Sequence, residues 1–188
     1  MKKTSKSRAR VKTSILIIFL TGIAIGTGMH KMVDVNWLSF DPPAEKLNIC
    51  FTPPSGCGTL IAREISKAKE SIYVQAFGLT SESITSQLIK AKNNGVKVEV
   101  LLDRSNLTDK HSRIYELKRA GITVAIDKVQ GIAHNKVMII DRSKVITGSF
   151  NFTNSADKRN TENVVLIDDS EVANAYLKNW LDRRAKNY

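Results

Sequence analysis

A short segment late in the chain carries side chains whose types and spacing could perform chemistry. Residues 133–153 read AHNKVMIIDRSKVITGSFNFT, two apolar runs that hold His134, Lys136, Ser149 and Asn151. A neutral imidazole nitrogen can attack phosphorus as a nucleophile. An ammonium, a hydroxyl and an amide can donate hydrogen bonds to phosphoryl oxygens as negative charge develops. These residue types together indicate phosphodiester chemistry.

The same residues carry no adjacent cluster of carboxylates that could hold a divalent metal. The positive charge that a phosphoryl transition state needs is therefore expected from the protein itself. We expect no metal and no other cofactor.

The two apolar runs predict a hairpin that would bring the polar groups together. With antiparallel strands and a type I turn starting at Asp141, Lys136 faces Ser149 and His134 faces Asn151. Side chains alternate between the faces of a strand, so these four would share one face, whereas Asp141 would lie on the other face near the turn. The apolar side chains and the glycine expected on that other face are Val137, Ile139, Ile146 and Gly148.

The elements around this hairpin predict an α/β domain. Helix-spaced apolar runs alternate with strands rich in β-branched residues, which favours layers of helix and sheet. Besides the hairpin, the predicted strands are 47–51, 71–77, 96–103, 122–126 and 163–167. The predicted helices are 58–70, 81–95, 107–121 and 170–186.

The N-terminal region has the pattern of an export signal. The chain has a formal net charge of +11, and residues 1–12 hold six basic residues and no acid. Residues 13–29 then carry no charge, which suits a cleaved signal peptide or a short membrane anchor better than a buried core helix. We expect residues 1–30 to direct export, with inner-membrane association through 13–29 if they are retained, followed by a linker at 31–46. The catalytic domain, 47–188, would then lie outside the cytoplasm, in the periplasm or anchored to the inner membrane.

The two cysteines fit an exported domain. Cys50 and Cys57 flank a short loop that contains Pro53, Pro54 and Gly56, and in an oxidising compartment they could form a disulfide. Free thiols are the alternative. A zinc site is excluded because two further ligands at suitable spacing are missing.

The motif resembles that of the phospholipase D superfamily, HxKx4Dx6GSxN. The matching positions are His134, Lys136, Asp141, Gly148, Ser149 and Asn151. The stretches CFTPPSGC, IYVQAFGLTSESI, NNGVKVEVLLD and TENVVLI are similar to the small, single-motif bacterial endonuclease branch. The resemblance covers about residues 47–184 and implies a mixed central sheet flanked by helices.

The resemblance also implies roles for these residues. His134 would form a phosphohistidine, Lys136, Ser149 and Asn151 would hold the phosphate, and Asp141 would give structural support. Glu162 would orient the imidazole. Because the chain carries one copy of the motif, a homodimer would supply the second histidine as the acid. The implied function is a metal-independent endonuclease of low specificity acting on DNA, with RNA as a further candidate substrate.

Two other functions stay open at this point. One is hydrolysis of a phospholipid such as cardiolipin at the membrane, and the other is a non-catalytic nucleic-acid-binding module. Several further residues could take part in either reading. Gln75 and Asp103 could face the site or serve packing, the aromatic side chains of Phe77, Phe150 and Phe152 could stack on bases or fill the core, and His111 is expected on an exposed helix position.

Overall fold

The computed structural model describes residues 46–54 and 56–186 of the chain. Apart from Lys46, the predicted export segment and linker lie outside these residues, so export and anchoring stay predictions. Within the described ranges, no helix combines the length and the apolar character needed to cross a bilayer.

A mixed seven-stranded sheet forms the centre of the described domain, as the sequence predicted. Its strand order is β1-β7-β6-β5-β2-β3-β4, with β2, β3 and β4 parallel and every other neighbouring pair antiparallel. The strands are β1 (Leu47–Thr52), β2 (Ser71–Ala76), β3 (Lys97–Asp103), β4 (Thr123–Asp127), β5 (Lys136–Ile140), β6 (Lys144–Gly148) and β7 (Glu162–Asp168).

Helices cover both faces of the sheet. Those of the described residues are α1 (Cys57–Ser66), α2 (Glu82–Asn93), α3 (Ile114–Arg119), α4 (Asn154–Lys158) and α5 (Ser170–Ala185). The larger core packs α1 to α4 against one face, with Met138 and Ile146 of the hairpin strands. The smaller core packs α5 against the other face, where Trp180 donates a hydrogen bond to the carbonyl of Val74. Both cores consist of buried aliphatic and aromatic side chains, and such close packing makes the sheet rigid enough to position side chains at its ends.

One predicted helix is much shorter than expected. A helix was predicted over 107–121. Instead, a 3-10 helix at Arg104–Leu107 is followed by turns, and α3 begins only at Ile114. The side chain of Asp109 accepts the backbone N–H of His111, and Asn106 donates to the carbonyl of Asp103. Side chains that bond to nearby backbone in this way compete with helix formation. Helix α4 was not predicted; its signal is Thr153, whose hydroxyl accepts the N–H of Ala156 at the helix start.

The predicted register of the β5–β6 hairpin was wrong by one residue. Ile140 pairs with Lys144, so the loop has three residues, and Asp141 and Arg142 have φ of 50° and 54°. This is not a type I turn, because both residues are left-handed. Ile146 consequently shares a face with Met138 in the larger core, and not with Val137 and Ile139 as expected.

Asp141 fastens the hairpin to the start of β2. Its carboxylate accepts the backbone N–H groups of Lys69, Glu70 and Ser71 at 2.9, 2.8 and 2.9 Å, and its own N–H donates to the carbonyl of Ser71 at 2.8 Å. An aspartate also tolerates the left-handed conformation better than most residues. Asp141 lies about 16 Å along β5 from Lys136, so its contacts are those of a structural residue.

Replacing Asp141 should therefore lower stability more than chemistry. We expect Asp141→Ala to reduce the free energy of unfolding by about 2–4 kcal/mol, because three N–H groups lose a charged acceptor. Asp141→Asn is the matched control, since an amide oxygen can still accept and asparagine still tolerates positive φ. Urea unfolding measures both. Equal stability of the alanine variant and the wild type would contradict this role.

Candidate active site

The polar residues of the motif collect at one edge of the sheet. Because β5 is antiparallel to β2, the start of β5 lies beside the end of β2, and Ala76 pairs with Lys136. The end of β6 and the start of β7 lie at the same edge, where Gly148 pairs with Val164. We call this the polar edge and define it by Phe77, His134, Lys136, Ser149, Asn151 and Glu162.

Phe77 is the common neighbour of the first two motif residues. The His134 ring lies 5.0 Å from the Phe77 ring, and Lys136 Nζ lies 5.4 Å from the same ring centre. The backbone N–H of Phe77 donates to the carbonyl of Asn135 at 2.9 Å, which holds this loop against β2. His134 is exposed, so its imidazole is open to a substrate.

Lys136 is a buried cation. Only 7 % of it is exposed, and Nζ donates to the carbonyl of His134 at 2.8 Å. Burial lowers the pKa of Lys136, and the charge of nearby Glu162 offsets part of that effect. Keeping a buried ammonium here lowers the stability of the fold. Perturbed pKa values of this kind are common at functional sites.

Asn151 stands beside Gly78, the residue after Phe77. Its Oδ1 lies 3.9 Å from the point where a Gly78 Cβ would be. Within residues 46–54 and 56–186, this buried Oδ1 has no hydrogen-bond partner. A buried amide oxygen without a partner is costly, so a water molecule or a bound group that donates to it would be stabilising.

Ser149 and Glu162 form a second polar group at this edge. The Ser149 hydroxyl donates to Glu162 Oε2 at 2.5 Å and accepts the backbone N–H of Asn163 at 3.0 Å. Glu162 Oε1 accepts from the side chain of Asn160 at 2.9 Å. The carboxylate is therefore held by two donors before any substrate arrives.

The glycine before Ser149 makes this geometry possible. Gly148 has φ of 142°, and a Cβ there would lie 2.3 Å from the carbonyl oxygen of Asn163. That same oxygen accepts the N–H groups of both Ser149 and Phe150, at 3.2 and 3.4 Å. Two residues facing one partner constitute a bulge, which ends the regular alternation of faces. Bonding to Glu162 then sets the direction of the Ser149 side chain.

The predicted partnership of Glu162 with His134 is absent from the single protomer. In the described part of the chain, neither carboxylate oxygen of Glu162 is hydrogen-bonded to His134, and both already have partners in Ser149 and Asn160. An orienting role of Glu162 toward His134 stays a proposal for the assembled enzyme.

Asp103 supports the histidine loop from below. Its Oδ2 accepts the N–H of Ala133, next to His134, at 2.7 Å, and its Oδ1 accepts the N–H of Ser105. Burial raises the pKa of Asp103, but these N–H donors outweigh it and hold that pKa below its usual value. Asn106 adds a hydrogen bond to the carbonyl of Phe77 at 2.7 Å. Sequence reasoning missed Asn106; its position three residues after a strand end was the available signal.

The other candidates separate clearly by position. Gln75 points toward the α5 side, where it donates to Asp127, which also pairs with Arg183. Phe150 and Phe152 are 2 % and 1 % exposed and belong to the larger core.

The remaining two predictions concern the cysteines and metal ligands. Cys50 of β1 is joined to Cys57 of α1 by a disulfide. Over the described ranges, no three His, Cys, Asp or Glu side chains are grouped as metal ligands.

Comparison with known proteins decides the family. The family model described as "Cardiolipin synthase, PLD-like domain" matches residues 61–184. The chain belongs to the phospholipase D superfamily. It is therefore a phosphodiesterase of that superfamily, which agrees with the residue types at the polar edge.

Individual relatives agree with this assignment. The chain is 62 % identical over 190 residues to a protein of Rickettsia conorii named phospholipase D, covering 92 % of this chain and 95 % of that one. It is 28 % identical over 143 residues to a mitochondrial cardiolipin hydrolase of Xenopus laevis, covering 74 % and 68 %. A solved structure, the phospholipase D family member Nuc of Salmonella typhimurium, superposes with a TM-score of 0.71 and 32 % identity, covering 76 % and 95 %.

Replacing Lys136 should separate activity from stability. We expect Lys136→Met to lower the rate of phosphodiester hydrolysis by about 10²–10³-fold, because a cationic donor to the phosphate is lost. The free energy of unfolding should stay unchanged or rise at neutral pH, because a desolvated charge is removed.

The pH dependence provides the second readout. A lowered lysine pKa destabilises the folded state fully at pH below the folded pKa, and this cost fades as pH rises through it. The free energy of unfolding of the wild type should therefore increase relative to that of Lys136→Met as the pH becomes alkaline. Over the same range the activity of the wild type should fall, because Lys136 loses its proton. Lys118→Met, at an exposed helix position, should change neither quantity. A large loss of stability in Lys136→Met at neutral pH would refute the assignment.

Proposed function

We propose that the protein is a metal-independent endonuclease of low sequence specificity that cleaves DNA, and also RNA, through a phosphohistidine. The observation that carries the proposal is an exposed imidazole, His134, fixed beside a buried ammonium, Lys136, at an open edge of a rigid sheet. The nucleophile is accessible, and the positive charge it needs is already desolvated.

The first step uses His134 as the nucleophile. A ring nitrogen forms a bond to phosphorus, the phosphorus–oxygen bond to the leaving nucleoside breaks, and the leaving oxygen takes a proton from an acid. Lys136 and the side-chain amide of Asn151 donate to the phosphoryl oxygens, and the hydroxyl of Ser149 joins them when its proton turns from Glu162 to the phosphate. In the second step, a water oxygen bonds to phosphorus, its proton passes to the former acid, and His134 is released.

We propose that a second copy of the chain supplies the acid. One protomer presents one motif, and a two-fold axis at the polar edge would set His134 of the second copy across the phosphate. The Oδ1 of Asn151, which has no partner within residues 46–54 and 56–186, supports this proposal as an acceptor that a donor of the second copy could reach. Glu162 could then orient either histidine.

We also propose that the domain lies outside the cytoplasm. Cys50 and Cys57 are bonded in the structure, and disulfides persist in oxidising compartments. This supports export of the domain to the periplasmic side, with the N-terminal region as signal or anchor.

Hydrolysis of phospholipid such as cardiolipin is the second candidate. Ile132, two residues before His134, is 58 % exposed, and an apolar side chain so close to the nucleophile could enter a lipid surface. Several relatives carry lipid hydrolase names. Phe51, 60 % exposed and paired with Asn163 of β7, adds a second apolar side chain on the Glu162 side of the polar edge. Two separate side chains bury little area, and a diacyl lipid needs a broader apolar surface.

Cleavage of plasmid DNA tests the proposed activity. The full-length protein in excess EDTA should nick supercoiled plasmid, whereas His134→Ala should not, because it lacks the nucleophile. The rate should fall steeply with added salt, since backbone phosphates dominate binding. His111→Ala is the matched control and should retain nicking. If the protein does not nick plasmid but hydrolyses cardiolipin vesicles, the nuclease proposal is wrong and the phospholipase candidate takes its place.

Subunit mixing tests the shared site. After subunit exchange with a tenfold excess of His134→Ala, wild-type activity should fall to roughly a tenth, because nearly every wild-type chain then has an inactive partner. Lys118→Ala in the same excess should not inhibit. Undiminished activity in the presence of excess His134→Ala would show that each protomer works alone.

A further inference from the structure

A second polar surface lies next to the polar edge and takes no part in the chemistry described above. A cleft of about 770 Å³ opens between the segment 109–119 and the segment 153–159, with Thr80 at its base. We call it the α3 cleft. We propose that it binds a single strand of nucleic acid beside the scissile phosphate, with Tyr115 as a stacking surface for a base and Arg119, Arg159 and Lys110 as phosphate contacts.

The α3 cleft lies next to the polar edge. Thr153 lines it and follows Asn151 by two residues, so their Cα atoms are at most about 7 Å apart. Thr153 also lies against Gly78, with its Cγ2 3.4 Å from where a Cβ would be. Thr80, which also lines the cleft, donates its N–H to the carbonyl of Phe152. A strand held at the polar edge can therefore run directly into the cleft.

The charge of the α3 cleft suits phosphates. Glu116 is neutralised by Arg113 at 3.0 Å, and Asp109 is the other acid, whose Oδ1 accepts the N–H of His111. Four cationic side chains, Lys110, Arg113, Arg119 and Arg159, line the same space. Lys110, Arg119 and Arg159 form no ion pair within residues 46–54 and 56–186, so their charges are available to an anion.

The shape of the lining favours bases over acyl chains. Among the residues that the structure describes, no aliphatic side chain lines the cleft, so this lining offers little to a lipid tail. Its one aromatic side chain, Tyr115, is 57 % exposed. Arg119 follows Tyr115 by one helical turn and so lies on the same face of α3. An exposed ring beside free cations is the arrangement by which proteins hold unpaired bases without reading sequence.

A single strand is the form that this surface fits. A ring can stack on a base only when the face of that base is uncovered, which base stacking in a duplex prevents. The inference rests on the proposed nuclease function and narrows its substrate to single-stranded segments.

Kinetics on two substrates test this inference. The full-length protein is assayed on a single-stranded DNA of about 20 nucleotides and on bis(4-nitrophenyl) phosphate, which is too small to span the cleft. Tyr115→Ala should raise the KM for the oligonucleotide about 5- to 150-fold, and much more than the KM for the small diester. Tyr115→Phe, which keeps the ring, should behave as the wild type does.

Salt dependence and strandedness test the charge and the stacking separately. Arg119→Ala should reduce the slope of log KM against log salt by about 0.7, whereas Lys118→Ala, on the same helix but not in the lining, should not. On a blunt duplex of the same sequence, Tyr115→Ala should have little effect.

Three outcomes would overturn the inference. The first is an unchanged KM for the oligonucleotide in both Tyr115→Ala and Arg119→Ala. The second is a rise in KM in Tyr115→Ala that is equal for the oligonucleotide and the small diester, or equal for single strand and duplex. In either case the wild type still cleaves DNA, so the nuclease proposal survives. If the wild type hydrolyses the small diester but no oligonucleotide, the nuclease proposal and the α3 cleft fail together.

Discussion

The antiparallel pairing of β2 with β5 is the constraint on which the active site depends. It sets Ala76 opposite Lys136 and thereby brings Phe77 to His134. At the far end of the same pair, the carboxylate of Asp141 binds three successive backbone N–H groups. A slip of one residue would turn Lys136 to the other face of the sheet, so a carboxylate distant from the chemistry protects the alignment of the nucleophile.

Two costs are accepted at the polar edge. Lys136 keeps an ammonium where little water reaches it, and Asn151 keeps a buried oxygen without a partner in the described chain. Each costs folding stability. The cost of the buried ammonium is offset when a phosphate arrives, because a desolvated donor interacts more strongly with a developing charge than a solvated one. The two packed cores on either side of the sheet make such costs tolerable.

Chemistry and substrate retention occupy neighbouring but different parts of the surface. The polar edge holds groups suited to a single phosphate, whereas the α3 cleft presents an exposed ring and free cations suited to the rest of a strand. Helix α3 and the turn before it carry none of the motif residues, although Arg113 and Ser112 join this segment to Leu79 and Asn106 near the sheet ends. This separation offers a physical reason why one superfamily can act on different phosphodiesters, since the surface proposed to hold the remainder of the substrate consists of other residues than the reacting groups.

Much of this protein was determined locally in its sequence. The residue types and spacing from His134 to Asn151 indicated the chemistry, and the alternation of helical and strand patterns predicted a layered α/β domain, because periodicity is a property of neighbouring residues. That the central sheet is mixed was implied by the resemblance of the motif to a known family. The hairpin register was not determined in this way, since it depends on the left-handed Asp141 and Arg142, and Asp141 is held by backbone from β2. Tertiary structure alone decided that Glu162 binds Ser149, that Asp103 supports the histidine loop, and that α3 borders a cleft. Each of these contacts joins residues far apart in the chain, and nothing in a local pattern specifies which distant partner will be nearby.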